Sequence, residues 1–540
     1  MRSRAPERTR RLAWLASSAW LALLLRPGSA AAEGPLRTWG GQEPASETQP
    51  EEIPAAAPAA PSPEPPAETP SPDPVRSPRG LRYVLDDVTV VGNTRTRASV
   101  VLGLVPFHPG DPFEVNDEKL AAARFRLLGT GFFRDVHFAL RRGRERGRAI
   151  LVVTVRERNT LLVNDVWLGV SADAERDGGA RPLTAYGGLD VAENNLFGTG
   201  LSLGGAAAVA DRQLALRARF LDPDFRHSGF TVYGQLLYSA ARDFFGHKDV
   251  LVSTPVEGAT EAGTRQTDYA VVSYKRFGGA VGIGHELGSP WSRAFLEYRL
   301  ESIDATLPLT ASHLRGGEVE PIDFYLPRGS SMLSVARASY VYDTRDQAVL
   351  AERGVEAGVL AEASLRPMGS DFPYFKVQGR AAKYTRLPWG HVVRLEAFAG
   401  AIFGDAPLFS RYYVGDFSDL LPDRVLDLNV DRRPAPNLFG TAIREVRYGT
   451  YAARLLGEYR IPLYRGRRSV WGIDAFGSIG LYAVADERDL SQPAAGYSGL
   501  QRAPFDLTFN LGLRADTAIG KMTLGVSTLV GFLPLREDAR

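Results

Sequence analysis

The chain has no cysteine among its 540 residues. That removes a disulfide framework and thiolate metal sites as ways of holding a fold together. Charge of one sign is also lacking. With 64 Lys and Arg against 62 Asp and Glu the formal net charge is +2, which offers no electrostatic case for nucleic acid as a partner. Past the first few dozen residues no apolar run is long enough to cross a bilayer as a helix. Chemistry-bearing constellations are missing as well. The seven histidines are scattered (His108, His137, His227, His247, His285, His313, His391), with no metal-ligand spacing, nucleophile elbow or phosphate-binding glycine loop. The expectation is a non-enzyme that needs no cofactor.

What is present begins with Arg2, Arg4, Arg8, Arg10 and Arg11, then an apolar stretch from Leu12 to Leu25 and the small residues Ala30-Ala31-Ala32. This order is that of a secretory signal peptide over residues 1–32, with the cut expected after Ala32; the competing reading is an N-terminal anchor helix. Residues 33–80 follow as a Pro/Ala/Glu-rich linker, typified by Pro58-Ala59-Ala60-Pro61-Ser62-Pro63-Glu64-Pro65-Pro66. Such a segment cannot bury enough apolar surface to offset chain entropy and is expected to be extended and disordered.

Residues 81–158 read as a compact α+β unit. A strand through Val84, Val88 and Val90 leads to a turn at Gly92-Asn93 and a short helix around Ser99 to Leu104. A second helix is expected after Asn116 as N-cap, with Leu120, Ala123 and Leu127 on one face. Phe132 to Leu140 and Ala149 to Val155 then form two strands joined by the charged turn Arg141 to Arg148.

From residue 159 to 540 the pattern changes to segments of roughly ten to fifteen residues in which apolar and polar residues alternate, separated by Gly, Pro and Asp. In one of them Phe505, Leu507, Phe509, Leu511 and Leu513 interleave with Asp506, Thr508, Asn510, Gly512 and Arg514. Period two with charges on one face only is what a closed sheet in hydrocarbon requires. Every backbone polar group must be paired within the structure, and a charge turned to lipid at mid-bilayer would cost about 2–4 kcal/mol. The fold class is therefore mainly β: a transmembrane antiparallel barrel preceded by one α+β domain.

These residues resemble the outer-membrane assembly and translocation barrels of the BamA/TamA type, the bacterial surface antigen family. The α+β unit resembles a POTRA domain through Val90-Val91-Gly92-Asn93, Pro109-Gly110-Asp111-Pro112-Phe113 and Leu128-Gly129-Thr130-Gly131-Phe132-Phe133-Arg134-Asp135-Val136. In the barrel, Asn195, Gly198 and Gly200 resemble the family's turn between strands two and three. Asp222-Pro223-Asp224-Phe225 resembles the next turn, and Asp343, Arg345 and Asp346 with Gly354 resemble the link between strands eight and nine.

The resemblance also implies a sixth outer loop that folds into the barrel and pairs an Arg with acids on strands twelve and thirteen. Here Tyr412, Tyr413 and Gly415 match the approach, and Glu458 and Asp474 match the acids. The Arg motif itself departs, reading Asp419-Leu420-Leu421-Pro422-Asp423-Arg424. A buried acid without a partner costs free energy, so Arg424 or Arg447 is the expected replacement, unless both acids are simply solvated.

Fifteen strands can be placed where the family has sixteen; splitting Thr267 to Leu287 at Phe277-Gly278-Gly279 would restore the even count. The family also implies a lateral seam, here near Trp167 and Gly169. It implies an outer-membrane location with the N-terminal domain in the periplasm. Its partners would be unfolded outer-membrane or secreted client proteins and outer-membrane lipids, with periplasmic chaperones or lipoproteins as candidates. Three functions stay open: client assembly, a two-partner-type secretion pore, and a passive channel that keeps the family fold.

Overall fold

The computed structural model describes residues 82–530 apart from 115–116, 175–177, 247–248, 255–262, 316–317, 348, 414–423, 431–447, 467–468, 488–489 and 491–504. The signal and linker segments, Asn116, Gly415 and Arg447 therefore lie outside the described residues, as does the side chain of Arg424.

The N-terminal unit contains β1 (Arg82–Val91), α1 (Ala98–Gly103), β2 (Pro112–Glu114), α2 (Glu118–Gly129), β3 (Phe133–Arg142) and β4 (Arg148–Glu157). The sheet order is β2-β1-β4-β3, with β1 parallel to β4 and the other pairs antiparallel. Strand β4 alternates cleanly, burying Ala149, Leu151, Val153 and Val155, as a strand with one covered face must. Strand β1 keeps Val88 and Val90 on its core side and departs at Val84. A register shift between Leu85 and Asp87 turns Leu85 inward and leaves Val84 exposed, because one extra residue inverts the facing of everything before it. Helix α2 buries Ala123 and Leu127 against this sheet. Its N-cap is Asp117, whose side chain accepts from the Lys119 N–H.

The landmark residues of this unit are structural. Gly92 has φ +91, and a Cβ there would collide with the Val155 carbonyl oxygen. Asn93 closes the following turn on the Thr96 carbonyl at 3.0 Å. Gly110 and Gly131 have φ +96 and +73, which side-chain-bearing residues rarely adopt. Phe132 and Val136 are core residues.

The barrel is a fifteen-stranded antiparallel meander. Its strands are β5 (Leu161–Ala174), β6 (Ala180–Glu193), β7 (Ser202–Ala210), β8 (Gln213–Asp222), β9 (Phe230–Phe245), β10 (Ala270–Glu286), β11 (Ser292–Thr306) and β12 (Gly329–Asp343). They continue as β13 (Gly354–Ser364), β14 (Tyr374–Arg386), β15 (Val392–Gly404), β16 (Tyr451–Arg465), β17 (Val470–Ala485), β18 (Phe505–Thr517) and β19 (Gly520–Val530). Ala270–Glu286 is one unbroken strand through Phe277-Gly278-Gly279, so the count among the described residues is fifteen. Strand β11 shows why the sequence folds this way. Leu296, Tyr298 and Leu300 point outward and are exposed, while Phe295, Glu297, Arg299, Glu301 and Ile303 point inward and are buried.

An odd count has a geometric consequence. Because each neighbour reverses direction, β5 and β19 both start at the end of the barrel next to the α+β domain, and they run the same way along the seam. Among the described residues no ladder joins them. One backbone bond bridges the domain-proximal end, from the Val163 N–H to the Ile519 carbonyl at 2.9 Å.

Candidate functional site

The lumen wall is built from inward-facing Arg and Glu on successive strands. Arg337 of β12 reaches Glu297 of β11 at 3.2 Å and Glu362 of β13 at 2.5 Å. Arg380 of β14 reaches Glu356 of β13 at 3.5 Å and Glu396 of β15 at 3.3 Å. Period two places all of these on one face, and the low dielectric inside the wall makes each pair strong only because its partner is there.

Glu458 and Asp474 belong to this ladder, on the twelfth and thirteenth strands. Arg514 of β18 donates to both Glu458 oxygens at 3.0 Å each, with Arg394 at 3.6 Å and Arg460 at 3.5 Å. Asp474 is met by Arg465 at 2.5 Å and Arg460 at 3.7 Å. Among the described residues the cations at these acids come from the wall, on β15, β16 and β18, and not from a loop.

The segment between β15 and β16 does enter the lumen. Tyr412 and Tyr413 are buried and pair with Gly449 and Tyr448. A two-residue hairpin follows, with Arg424-Val425 paired to Leu428-Asn429 across Leu426-Asp427. Both turn residues have positive φ, +49 and +68, the geometry of a hairpin turn that usually carries Asn-Gly. Leucine at such a φ is strained, and Asp427 supplies the compensation. Its carboxylate meets Arg217 of β8 at 2.7 Å and Arg276 of β10 at 3.2 Å. Arg276 is fully buried, bonds Glu301 of β11 at 2.8 Å, and lies 3.8 Å over the Phe409 ring.

Asn429 donates to Asp243 of β9 at 3.1 Å and its carbonyl accepts from Gln213 at 2.8 Å. Tyr448 and Tyr274 both donate to Asp243. Val425, Leu428 and Val430 join Phe398, Tyr412 and Tyr274 in one buried apolar cluster. The described part of the loop thus lies in the lumen and is pinned on β8, β9 and β10. In this pinning the acid is on the loop and the arginines are on the wall, opposite to the polarity that the resemblance implies. Sequence reasoning missed Asp427, Asp243, Arg217 and Arg276. The available signal was Arg217 and Arg276 at inward positions of β8 and β10, each of which requires an acid from somewhere.

The turn landmarks do something else. Asn195, Gly198 and Gly200 receive the α+β domain. The Arg97 N–H bonds the Gly198 carbonyl at 2.9 Å, and Asn195 Nδ2 donates to Thr96 Oγ1 at 2.8 Å. A Cβ on Gly198 would collide with the Arg95 carbonyl oxygen, and one on Gly200 would press on Val100. Further contacts come from Arg126 of α2 with Glu286 at 2.6 Å, Phe125 against Trp291 at 5.8 Å, and Arg158 over the Trp471 ring at 4.6 Å. The domain is therefore seated across turns on both sides of the barrel mouth. Replacing Gly198 with Ala should unseat it while leaving the barrel intact, read as faster amide exchange at Arg95–Arg97 without change in barrel melting.

Glu157 holds the docking loop from the other side. It accepts from the Thr94 hydroxyl at 2.6 Å, the Arg95 N–H at 3.0 Å and the Thr96 N–H at 2.6 Å. Partial burial alone would raise this carboxyl, but those hydrogen bonds outweigh it and hold it below the usual glutamate value. A depressed folded value means the contribution is complete above the unfolded pKa and is lost as pH falls through the folded one. Seating of the domain should accordingly weaken below about pH 4, and Glu157→Gln should abolish that acid dependence in an exchange titration.

The link with Asp343, Arg345, Asp346 and Gly354 is self-contained. Arg345 pairs with Asp343 at 2.8 Å and Glu356 at 3.1 Å, Asp346 accepts the Glu352 N–H at 2.9 Å, and Gly354 has φ +111.

At the seam, Trp167 packs on the inner cluster. Gly169 leaves room for the Tyr186 ring of the adjacent strand, with which a Cβ would collide. The outward-facing seam residues are Val166 and Leu168 on β5, Leu168 being 81% exposed, and Met522 and Leu524 on β19. Among the described residues no group of three or more His, Asp or Glu is arranged to hold a metal ion, and no helix is long and apolar enough to cross a membrane.

Two family models match the chain: the Omp85 superfamily domain over residues 195–420 and the surface antigen variable number repeat, POTRA, over residues 83–158. No curated protein matches it. Among solved structures, CdiB from Escherichia coli is similar at 9% identity and TM-score 0.52, covering 84% of this chain and 73% of that one. BamA from Haemophilus ducreyi lacking POTRA domains 1–3 is similar at 14% identity and TM-score 0.46, covering 83% and 81%. At such identity the likeness to CdiB is one of fold.

Proposed function

The chain is an Omp85-family β-barrel with one POTRA domain in front, and from that premise we propose that it assembles β-rich client proteins in the outer membrane. In this reading residues 1–32 are removed on export, residues 33–80 link the periplasmic POTRA domain (81–158) to its surroundings, and residues 159–540 form the barrel. The clients are unfolded outer-membrane proteins that meet the free edge of β3 by strand addition, which supplies main-chain hydrogen bonds without demanding a sequence.

The observation that carries the proposal is the seam. Unpaired backbone groups in hydrocarbon cost several kcal/mol each, and among the described residues the two edges are joined by one backbone bond, from Val163 of β5 to Ile519 in the turn that precedes β19. Since both edges run the same way, a single client strand running oppositely is antiparallel to both. It satisfies two rows of donors and acceptors at once and brings the count to an even sixteen. The occupied lumen favours this lateral route over passage through the barrel.

Depletion of the protein tests the proposal. A fall in the outer-membrane level of many barrel proteins is expected. Loss of one secreted protein alone would indicate a secretion pore, and stable ion conductance with no client phenotype a passive channel.

A further inference from the structure

The hairpin between β3 and β4 carries Arg141, Arg142, Arg144, Arg146 and Arg148. It is a formed turn rather than a loose one. Asp86 accepts the Arg144 N–H at 2.7 Å and the Arg148 guanidinium at 3.0 Å, and the Gly143 N–H bonds the Arg148 carbonyl at 3.0 Å. Arg141, Arg142 and Arg146 are exposed and have no carboxylate within salt-bridge reach among the described residues. Like charges held together at a fixed tip repel one another, and an acidic partner relieves that repulsion.

The chain carries such a partner close by. Between Glu43 and Asp73 lie seven acidic residues and no Lys, Arg or His. It is followed by Arg76 and Arg79 and then by β1, whose parallel register sets Val84 beside Arg148, so the chain enters the folded domain at the arginine tip. Asp73 is nine positions before Arg82. At about 3.1 Å per residue for a Pro-rich segment, that distance lets Asp73, Glu68 and Glu64 turn back onto the hairpin. Tethering at such short range gives an effective concentration on the order of millimolar, enough for pairs that are individually weak.

We infer that the acidic segment 43–73 docks on the arginine hairpin 141–148 of the same chain. The contact is electrostatic and multivalent. It covers the tip of β3, the strand whose other edge is free in the sheet, and any acidic partner protein that uses this hairpin must displace the segment.

The test is a distance measurement in the full mature chain, which has no native cysteine, with spin labels at Ala67→Cys and Ala139→Cys. In about 0.01 M NaCl a short, narrow distribution is expected. In about 1 M NaCl, where the screening length falls from roughly 30 Å to 3 Å, it should lengthen and broaden. Replacing Arg141, Arg142 and Arg146 with Gln should reproduce the high-salt distribution at low salt. Replacing Glu64, Glu68 and Asp73 with Gln and Asn should do the same, and those positions precede the folded domain and leave its core untouched. The inference is overturned if the distribution is broad and unchanged at every salt concentration, or if a short distance survives either set of substitutions.

Discussion

A disulfide between cysteines placed at Val163 and Ile519 is expected to abolish client assembly, and reductant to restore it. Among the described residues these two form the one backbone bond between the seam edges, so a covalent bridge there adds to a contact that already exists. What it removes is the ability to part. A single hydrogen bond contributes about 0.5–1.5 kcal/mol net, which thermal motion opens readily, whereas a disulfide does not open on that scale. The native chain has no cysteine to confuse the readout. The barrel should remain folded, its melting unchanged or raised, because the other fourteen ladders are intact. Full assembly activity in oxidised, quantitatively bridged protein would mean that the seam does not part.

The second large effect is expected at Asp427. Changing it to Ala leaves the fully buried Arg276, and Arg217 beside it, without the hairpin carboxylate. Breaking a buried ion pair from one side costs about 3–5 kcal/mol, and here the loss falls on a turn already strained at Leu426. The hairpin should leave the lumen. In planar bilayers this appears as a step up in ion conductance, and on intact cells as cleavage near Val425–Asn429 by added protease. Arg276→Met should act less strongly on the hairpin, since Arg217 still meets Asp427 and Arg299 still lies 3.6 Å from the Glu301 that Arg276 leaves. Equal, low conductance in the Asp427→Ala protein would show that the loop is held by its apolar cluster alone.

These two sites differ in how far the sequence foretold them. The barrel was legible in period two: Leu296, Tyr298 and Leu300 alternate with Glu297, Arg299 and Glu301 because the two faces meet different media. The small domain was legible in its turn glycines, which positive φ requires, although the bulge after Leu85 moved the inner face of β1 by one residue. The strand count was legible only as fifteen or sixteen, since Phe277-Gly278-Gly279 resembles a turn but is carried through by ladders on both sides.

The lumen was hardest to read. Leu426-Asp427 lacks the Asn-Gly signature of its turn, and its arginine partners lie 151 and more residues earlier in the chain, a separation at which no local pattern survives. Glu458 is met by Arg514 at an inward position of β18, in the same alternation that defines the strand, and no motif marks that pairing.

Site-specific photocrosslinking during client synthesis tests the central claim most directly, with probes at Leu168 and Leu524 on the outer face of the seam and at Arg299 and Glu362 in the lumen wall. Client adducts at Leu168 and Leu524, on both edges and absent from the lumen positions, are the predicted result. Adducts at Arg299 and Glu362 with none at the seam would contradict it and make the barrel a conduit.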